Sequence, residues 1–131
     1  MNATLVSVFF VALGGGLGSA SRFLLSLFTQ QCLPTMSWIG TLSVNILGSF
    51  LIALFLVLGR AYYPTSSFFS PFFMVGLCGG FTTFSSFTLD AYKLYESGDT
   101  RMAVLYVLLS LILSCLALLG GLYVGGKITL R

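Results

Sequence analysis

Two polar stripes and one run of glycines and hydroxyls could handle an ion in this chain, and all three lie within strongly apolar sequence. Thr41, Asn45 and Ser49 recur every four residues, which on a helix puts their side chains on one face. Tyr106, Ser110 and Ser114 do the same. Between the stripes, the run from Gly76 to Asp90 carries Thr83 beside Phe84, with Phe87 three residues further on and so on the same face as Phe84. The hydroxyls and the carboxamide all donate hydrogen bonds, and none bears negative charge. A face of neutral donors suits an anion. The competing role for the serines and threonines is structural, bonding their own preceding-turn carbonyls or joining helices. Asn45 stands apart, because a carboxamide at mid-membrane is costly and needs a defined partner.

The elements that must position these residues follow from composition. Of 131 residues 57% are hydrophobic and 7% charged, and mean hydropathy is +1.04. A soluble domain of this size has too little polar shell to hide such a surface, whereas lipid accepts it on every side. The length suits one small bundle, a single transmembrane domain over residues 1–131 with no room for a catalytic lobe. Apolar stretches predict four spans at roughly 4–28, 38–58, 71–95 and 100–124. Ser70-Pro71 reads as an N-cap followed by proline in the first turn. Gly98 reads as a helix stop, with a new cap at Asp99 or Thr100. Trp38, Tyr62, Tyr63, Tyr92, Tyr95 and Tyr123 fall near the span ends, where amphipathic rings prefer the headgroup layer. The run from Gly76 to Asp90 falls inside the third span, so a helix interrupted there needs protein cover, a cavity or an ion to satisfy its freed backbone.

The first span does not read as a cleaved leader, since its charge, Arg22, follows the apolar stretch rather than preceding it. Cys32, Cys78 and Cys115 are odd in number and scattered, which fits neither a disulfide framework nor a zinc site. Arg22 comes four residues after Gly18, itself four after Gly14. The glycines permit close helix approach, and the guanidinium either snorkels to the surface or faces a wet vestibule that draws anions in.

Charge placement is more informative than the net +3. With four spans both termini share a side, which collects Arg60, Lys127 and Arg131, while the other collects Arg22, Lys93 and Arg101. Lysine and arginine bias sets orientation, so this chain carries almost no instruction about which way to insert. Either a small count balances by chance, or copies insert both ways and pair as an antiparallel homodimer. With no internal repeat in the chain, two opposed copies would supply the inverted symmetry that many transporters hold in one chain. Basic residues this few and this scattered predict no nucleic-acid partner.

Three motifs together resemble the small fluoride channels called Fluc or CrcB: Gly14-Gly15-x-x-Gly18-Ser19-x-x-Arg22, Gly40-Thr41-Leu42-x-Val44-Asn45-x-x-Gly48 and Gly79-Gly80-x-Thr82-Thr83-Phe84-Ser85-x-Phe87. The resemblance covers all four spans in order. It implies an all-α membrane protein whose third helix is broken at mid-membrane, assembled as a dual-topology antiparallel homodimer in the plasma (inner) membrane with two fluoride pores. Phe84 and Phe87 then look like the pair whose ring edges face the fluoride path, and Asn45 like the pore asparagine. With them Thr41 and Thr83 are expected to line the fluoride pore, Tyr106, Ser110 and Ser114 fall on the polar track, and Arg22 is expected at the vestibule. Gly79 and Thr82 match positions whose backbone carbonyls hold a structural Na+ on the dimer axis. Ser19, Phe23, Ser86, Thr88 and Asp90 depart from the family's usual residues, and only Asp90 changes a polar position of open role.

The implied activity is passive, potential-driven efflux of cytoplasmic fluoride. A small proton-coupled multidrug antiporter is the main competitor, but it needs a carboxylate within the bundle; Asp90 lies toward the end of the third span, and Glu96 and Asp99 in the loop after it. A noncatalytic assembly subunit of a larger membrane complex is a further possibility. Enzymatic chemistry is not expected of a chain with no histidine and no paired acids.

Overall fold

A computed structural model describes residues 2–130, so Arg131, counted above at the terminal side, lies outside the described residues. The fold is all-helical, with no strand among the described residues. Helix α1 spans Ala3–Cys32, a single 3₁₀ turn spans Pro34–Met36, and α2 spans Trp38–Tyr62. The next segment is composite: a π-helix over Ser70–Cys78, the short α3 over Gly79–Phe81, and α4 over Phe84–Glu96. Helix α5 spans Thr100–Thr129. Four helical stretches, Ala3–Cys32, Trp38–Tyr62, Ser70–Glu96 and Thr100–Thr129, are long and apolar enough to cross a membrane.

The helices overrun the apolar stretches at Cys32, Tyr62 and Thr129. Hydropathy ends where side chains turn polar, whereas the backbone ladder continues into the headgroup layer, where helical residues such as Gln31 and Arg60 are exposed. The cap expected at Ser70 is supplied upstream instead. Ser66 Oγ accepts from the Phe69 amide at 3.1 Å and from the Phe68 amide at 3.4 Å, and Ser70 already belongs to the π-helix. At the other turn α4 ends at Glu96, Gly98 takes φ +88°, and Asp99 caps α5 by accepting from the Met102 amide at 3.0 Å. That positive φ lies in the left-handed region that glycine enters without a Cβ penalty.

Small residues let the helices meet backbone to backbone, and large apolar ones point outward. Val44, Ala53, Cys78 and Tyr106 are at most 2% exposed, whereas Phe9 and Leu24 are over 60% exposed, as suits a lipid-facing surface. A Cβ at Gly14 would strike the Phe72 carbonyl, and one at Gly18 the Leu77 carbonyl. The expected close approach along Gly14 and Gly18 is therefore made against the π-helix. Gly121 lies as tightly on the Phe50 carbonyl, bringing α5 onto α2. Such contacts replace the hydrophobic drive that lipid does not provide. At the terminal side, Tyr62 Oη donates to the Ile128 carbonyl at 3.3 Å and Ser7 Oγ to the Ser67 carbonyl at 3.5 Å.

Candidate functional site

Between α3 and α4 the backbone leaves helical torsions, with Thr82 at φ −78°, ψ 159° and Thr83 at φ −154°, ψ 122°. Gly79, by contrast, stays helical at φ −64°, ψ −35°. In a continuous helix the Thr83 amide would close on the Gly79 carbonyl and the Ser86 amide on that of Thr82. Both amides go elsewhere. Thr83 N–H donates to Asn45 Oδ1 at 2.8 Å, and Ser86 N–H to Thr83 Oγ1 at 3.1 Å. Asn45 Nδ2 donates back to the Thr83 carbonyl at 3.0 Å. A single carboxamide on α2 thus fixes the extended segment from both sides, and the Gly79 and Thr82 carbonyls lose the donors a helix would give them. The Gly80 carbonyl finds its own, accepting Arg22 Nε at 3.1 Å and Ser19 Oγ at 3.4 Å.

A cavity of about 370 Å³ opens beside this segment. Its walls are Asn45, Gly48, Ser49 and Ile52 from α2, then Cys78, Thr82, Thr83, Phe84 and Phe87, and finally Ser110, Leu111, Ser114 and Cys115 from α5. No wall residue is charged. The first turn of α4 meets the cavity through Phe84 and Phe87, and a helix N-terminus favours negative charge. The Phe84 and Phe87 rings sit 5.5 Å apart; Phe84 is 74% exposed and Phe87 only 8%. From Phe87 the aromatic series continues to Tyr106 at 5.4 Å and from there to Trp38 at 5.4 Å.

The polar residues divide by what their hydrogens already do. Thr41 donates to Asp90 Oδ2 at 2.6 Å, so its hydroxyl is committed within the protein. Thr83 Oγ1 caps α4 and donates to Ser86 Oγ at 3.2 Å. Asn45 uses one of its two N–H donors on Thr83, leaving one for the cavity. Ser110 Oγ and Tyr106 Oη are buried without a hydrogen-bond partner, although Thr41, Ser110 and Asp90 stand around the Tyr106 hydroxyl. Unpaired buried hydroxyls are rare and require an explanation.

The cavity therefore gathers Asn45, Thr82, Thr83, Phe84, Phe87, Ser110 and Ser114. Thr41 and Tyr106 stand behind the Phe87 side, Gly79 lies outside the wall, and Arg22 reaches the segment from α1. The sequence did not single out the Thr41–Asp90 pair, because nothing in the spacing of α2 and α4 announces which residues face each other. Nor did it place Cys78 and Cys115 on the wall, although Cys115 adjoins Ser114 of the polar stripe. No group of three or more His, Cys, Asp or Glu side chains is placed to hold a metal among the described residues, so a cation here would need carbonyl ligands.

These partners separate two substitutions that spacing alone would treat alike. Asn45→Ala strands the Thr83 amide and carbonyl and should lower thermal stability by about 1–3 kcal/mol per buried group left unpaired. Ser110→Ala removes a hydroxyl with no partner, so it should leave melting unchanged or slightly raised while altering whatever passes the cavity. Melting curves of the two purified variants check this, and equal melting would remove the clamp role from Asn45.

The family profile described as "CrcB-like protein, Camphor Resistance (CrcB)" matches residues 9–122. Among similar proteins, one from Agrobacterium fabrum named "Fluoride-specific ion channel FluC" is 41% identical over 122 residues, covering 92% of this chain and 97% of its own. Another of that name from Ruegeria sp. is 45% identical over 119 residues, 90% and 93% of the two chains. A third, from Parabacteroides distasonis, is 42% identical over 124 residues, 95% and 96%. The match thus takes in every element that builds the cavity, from the glycines of α1 to the serines of α5, and this multi-pass membrane chain belongs to the CrcB family.

Proposed function

We propose that this chain is a fluoride-selective channel and that the cavity is half of its conduction path. The observation that carries this reading is a charge-free wall in which hydroxyl and carboxamide donors, the Ser110 hydroxyl buried without a partner among them, stand beside aromatic rings. An anion leaving water must regain hydrogen bonds, and neutral donors with the positive edges of aromatic rings replace hydration without trapping the ion as a lysine would. The relatives' names supply the anion. Hydrogen fluoride crosses membranes as a neutral acid and ionises at cytoplasmic pH. An inside-negative potential then favours exit by about 2.3 kcal/mol per 100 mV, so the plasma membrane is the location that such efflux requires.

The working unit in this reading is an antiparallel homodimer whose two copies each complete the other's path across the bilayer. Phe84 supports this, being a large ring left 74% exposed at the wall of a polar cavity. Gly79 adds a second indication: its torsions are helical, and a Cβ there would meet nothing nearer than the Met74 carbonyl at 3.9 Å. Nothing within this chain demands glycine at that position, whereas close approach by a second copy would. The freed Gly79 and Thr82 carbonyls fit a hard monovalent cation such as sodium. Bound there at mid-membrane, sodium would satisfy both carbonyls and place positive charge between the paths. Arg22, tied to Gly80 through Nε, keeps four N–H donors for drawing anions toward the segment.

Fluoride efflux from liposomes tests the reading. Purified protein should release fluoride rapidly when a potassium ionophore balances charge, with no proton gradient imposed. Efflux that requires such a gradient would favour the antiporter, with Asp90 as its carboxylate, and no efflux would favour an assembly subunit. Copies locked in one orientation by added carboxy-terminal lysines should be inactive alone and regain efflux when co-expressed with oppositely locked copies.

A further inference from the structure

The two ends of the bundle differ in charge in a way the proposed conduction path does not use. Arg60 and Lys127 lie at the terminal side, where Tyr62 bonds the end of α5. All three acids lie at the opposite end: Asp90 is held by Thr41 near the start of α2, Glu96 closes α4, and Asp99 caps α5. Among the described residues no acid lies at the terminal side, where Lys127 stands over the Tyr123 ring at 5.5 Å and Arg60 lies in the last turn of α2. A second cavity, of about 280 Å³, opens there where α2 ends. Arg60, Tyr63, Ser66 and Ser70 supply its polar lining, and Leu56 and Met74 lie on its apolar side. Ser66 Oγ already accepts two backbone amides, which leaves its O–H free to donate. Tyr63 is stacked at 4.8 Å on Phe69, and both rings belong to the lining.

From this placement we infer that the cavity binds the phosphate of an anionic phospholipid. A guanidinium offers a phosphate two parallel N–H donors, and neighbouring hydroxyls can bond the remaining oxygens. Leu56 and Met74, both half-buried, would meet the first methylenes of an acyl chain. Tyr62 and Tyr63 set the depth, since such rings prefer the headgroup layer. Arg60 also sits in the last turn of α2, where a cation stabilises the helix C-terminus. That role needs neither the cavity nor its hydroxyls.

Native mass spectrometry of the purified full chain, with phosphatidylglycerol or phosphatidylcholine added at equal concentration, tests the site. The parent should retain phosphatidylglycerol about fivefold more than phosphatidylcholine, the preference that one basic residue gives near an anionic headgroup. Arg60→Gln should bring the ratio near one, Arg60→Lys should keep part of it, and Arg101→Gln, at the other end, should keep all of it. Elution and melting of each variant are matched to the parent first. Equal retention of the two lipids by the parent, or equal loss in Arg60→Gln and Arg101→Gln, would overturn the site. Release of bound phosphatidylglycerol by millimolar inorganic phosphate would assign the cavity to free phosphate instead. None of these readings depends on whether fluoride is conducted.

Discussion

Phe84→Ile should cut fluoride efflux by about two- to tenfold while leaving assembly and melting close to the parent's. The ring is 74% exposed and lies 5.5 Å from Phe87, so its replacement by an aliphatic chain of similar bulk leaves little packing to lose. What disappears is the positive ring edge, worth about 0.5–1.5 kcal/mol for a well-placed partner, and near 1.4 kcal/mol that is a factor of about ten in rate. Phe87→Ile should slow efflux too, but it is the less clean test. Phe87 is 8% exposed and packs on Tyr106 at 5.4 Å, so a change of shape costs about 1 kcal/mol of stability as well. Liposome efflux paired with melting reads both effects. If Phe84→Ile conducts like the parent, the ring lies off the path and the cavity has been given the wrong role.

A large effect on folding is also expected at Gly18. A Cβ there meets the Leu77 carbonyl and comes within 2.8 Å of the Phe81 amide nitrogen. Both are backbone atoms that no rotamer change can move, so Gly18→Val must drive α1 away from the segment that carries the extended threonines. Overpacking of this kind costs about 1–3 kcal/mol, and the Arg22 and Ser19 bonds to Gly80 would be pulled out of register with it. We expect a lowered melting temperature, heterogeneous elution and loss of efflux. Gly16→Val is the matched control, because nothing lies within 4 Å of a Cβ there. A Gly18→Val protein that elutes and melts like Gly16→Val would mean that α1 does not pack as described.

Much of this fold was legible because membrane spans announce themselves by composition. Four apolar stretches gave four helices, and the glycines spaced by four in α1 pointed to the close crossing that Gly14 and Gly18 make. The stripes were legible for the same reason: a period of four puts Asn45 with Ser49 and Ser110 with Ser114, and all four line one cavity. What the sequence could not give was how each polar hydrogen is used. Thr41 and Ser110 look equivalent as hydroxyls in stripes, yet one is bonded to Asp90 and the other to nothing. That difference arises from the facing of α2, α4 and α5, which no single stretch encodes. The glycines were no guide to the local torsions, since Gly79 and Gly80 stay helical and the extended torsions fall on Thr82 and Thr83.

The reciprocal bonds between Asn45 and Thr83 bear on the order in which the bundle can be built. No proline lies between Phe72 and Glu96, so nothing in that stretch itself forbids a continuous helix. A span entering lipid before it docks must satisfy its backbone internally, which returns the Thr83 amide to Gly79 and the Ser86 amide to Thr82. The extended pair forms only by exchanging those bonds for Asn45 Oδ1 and Thr83 Oγ1. That exchange requires α2 to be present already. Synthesis from the amino terminus delivers Asn45 thirty-eight residues ahead of Thr83, so the template precedes the segment it reshapes. A chain permuted to make α2 last would have to hold the third span as an intact helix until its template arrived.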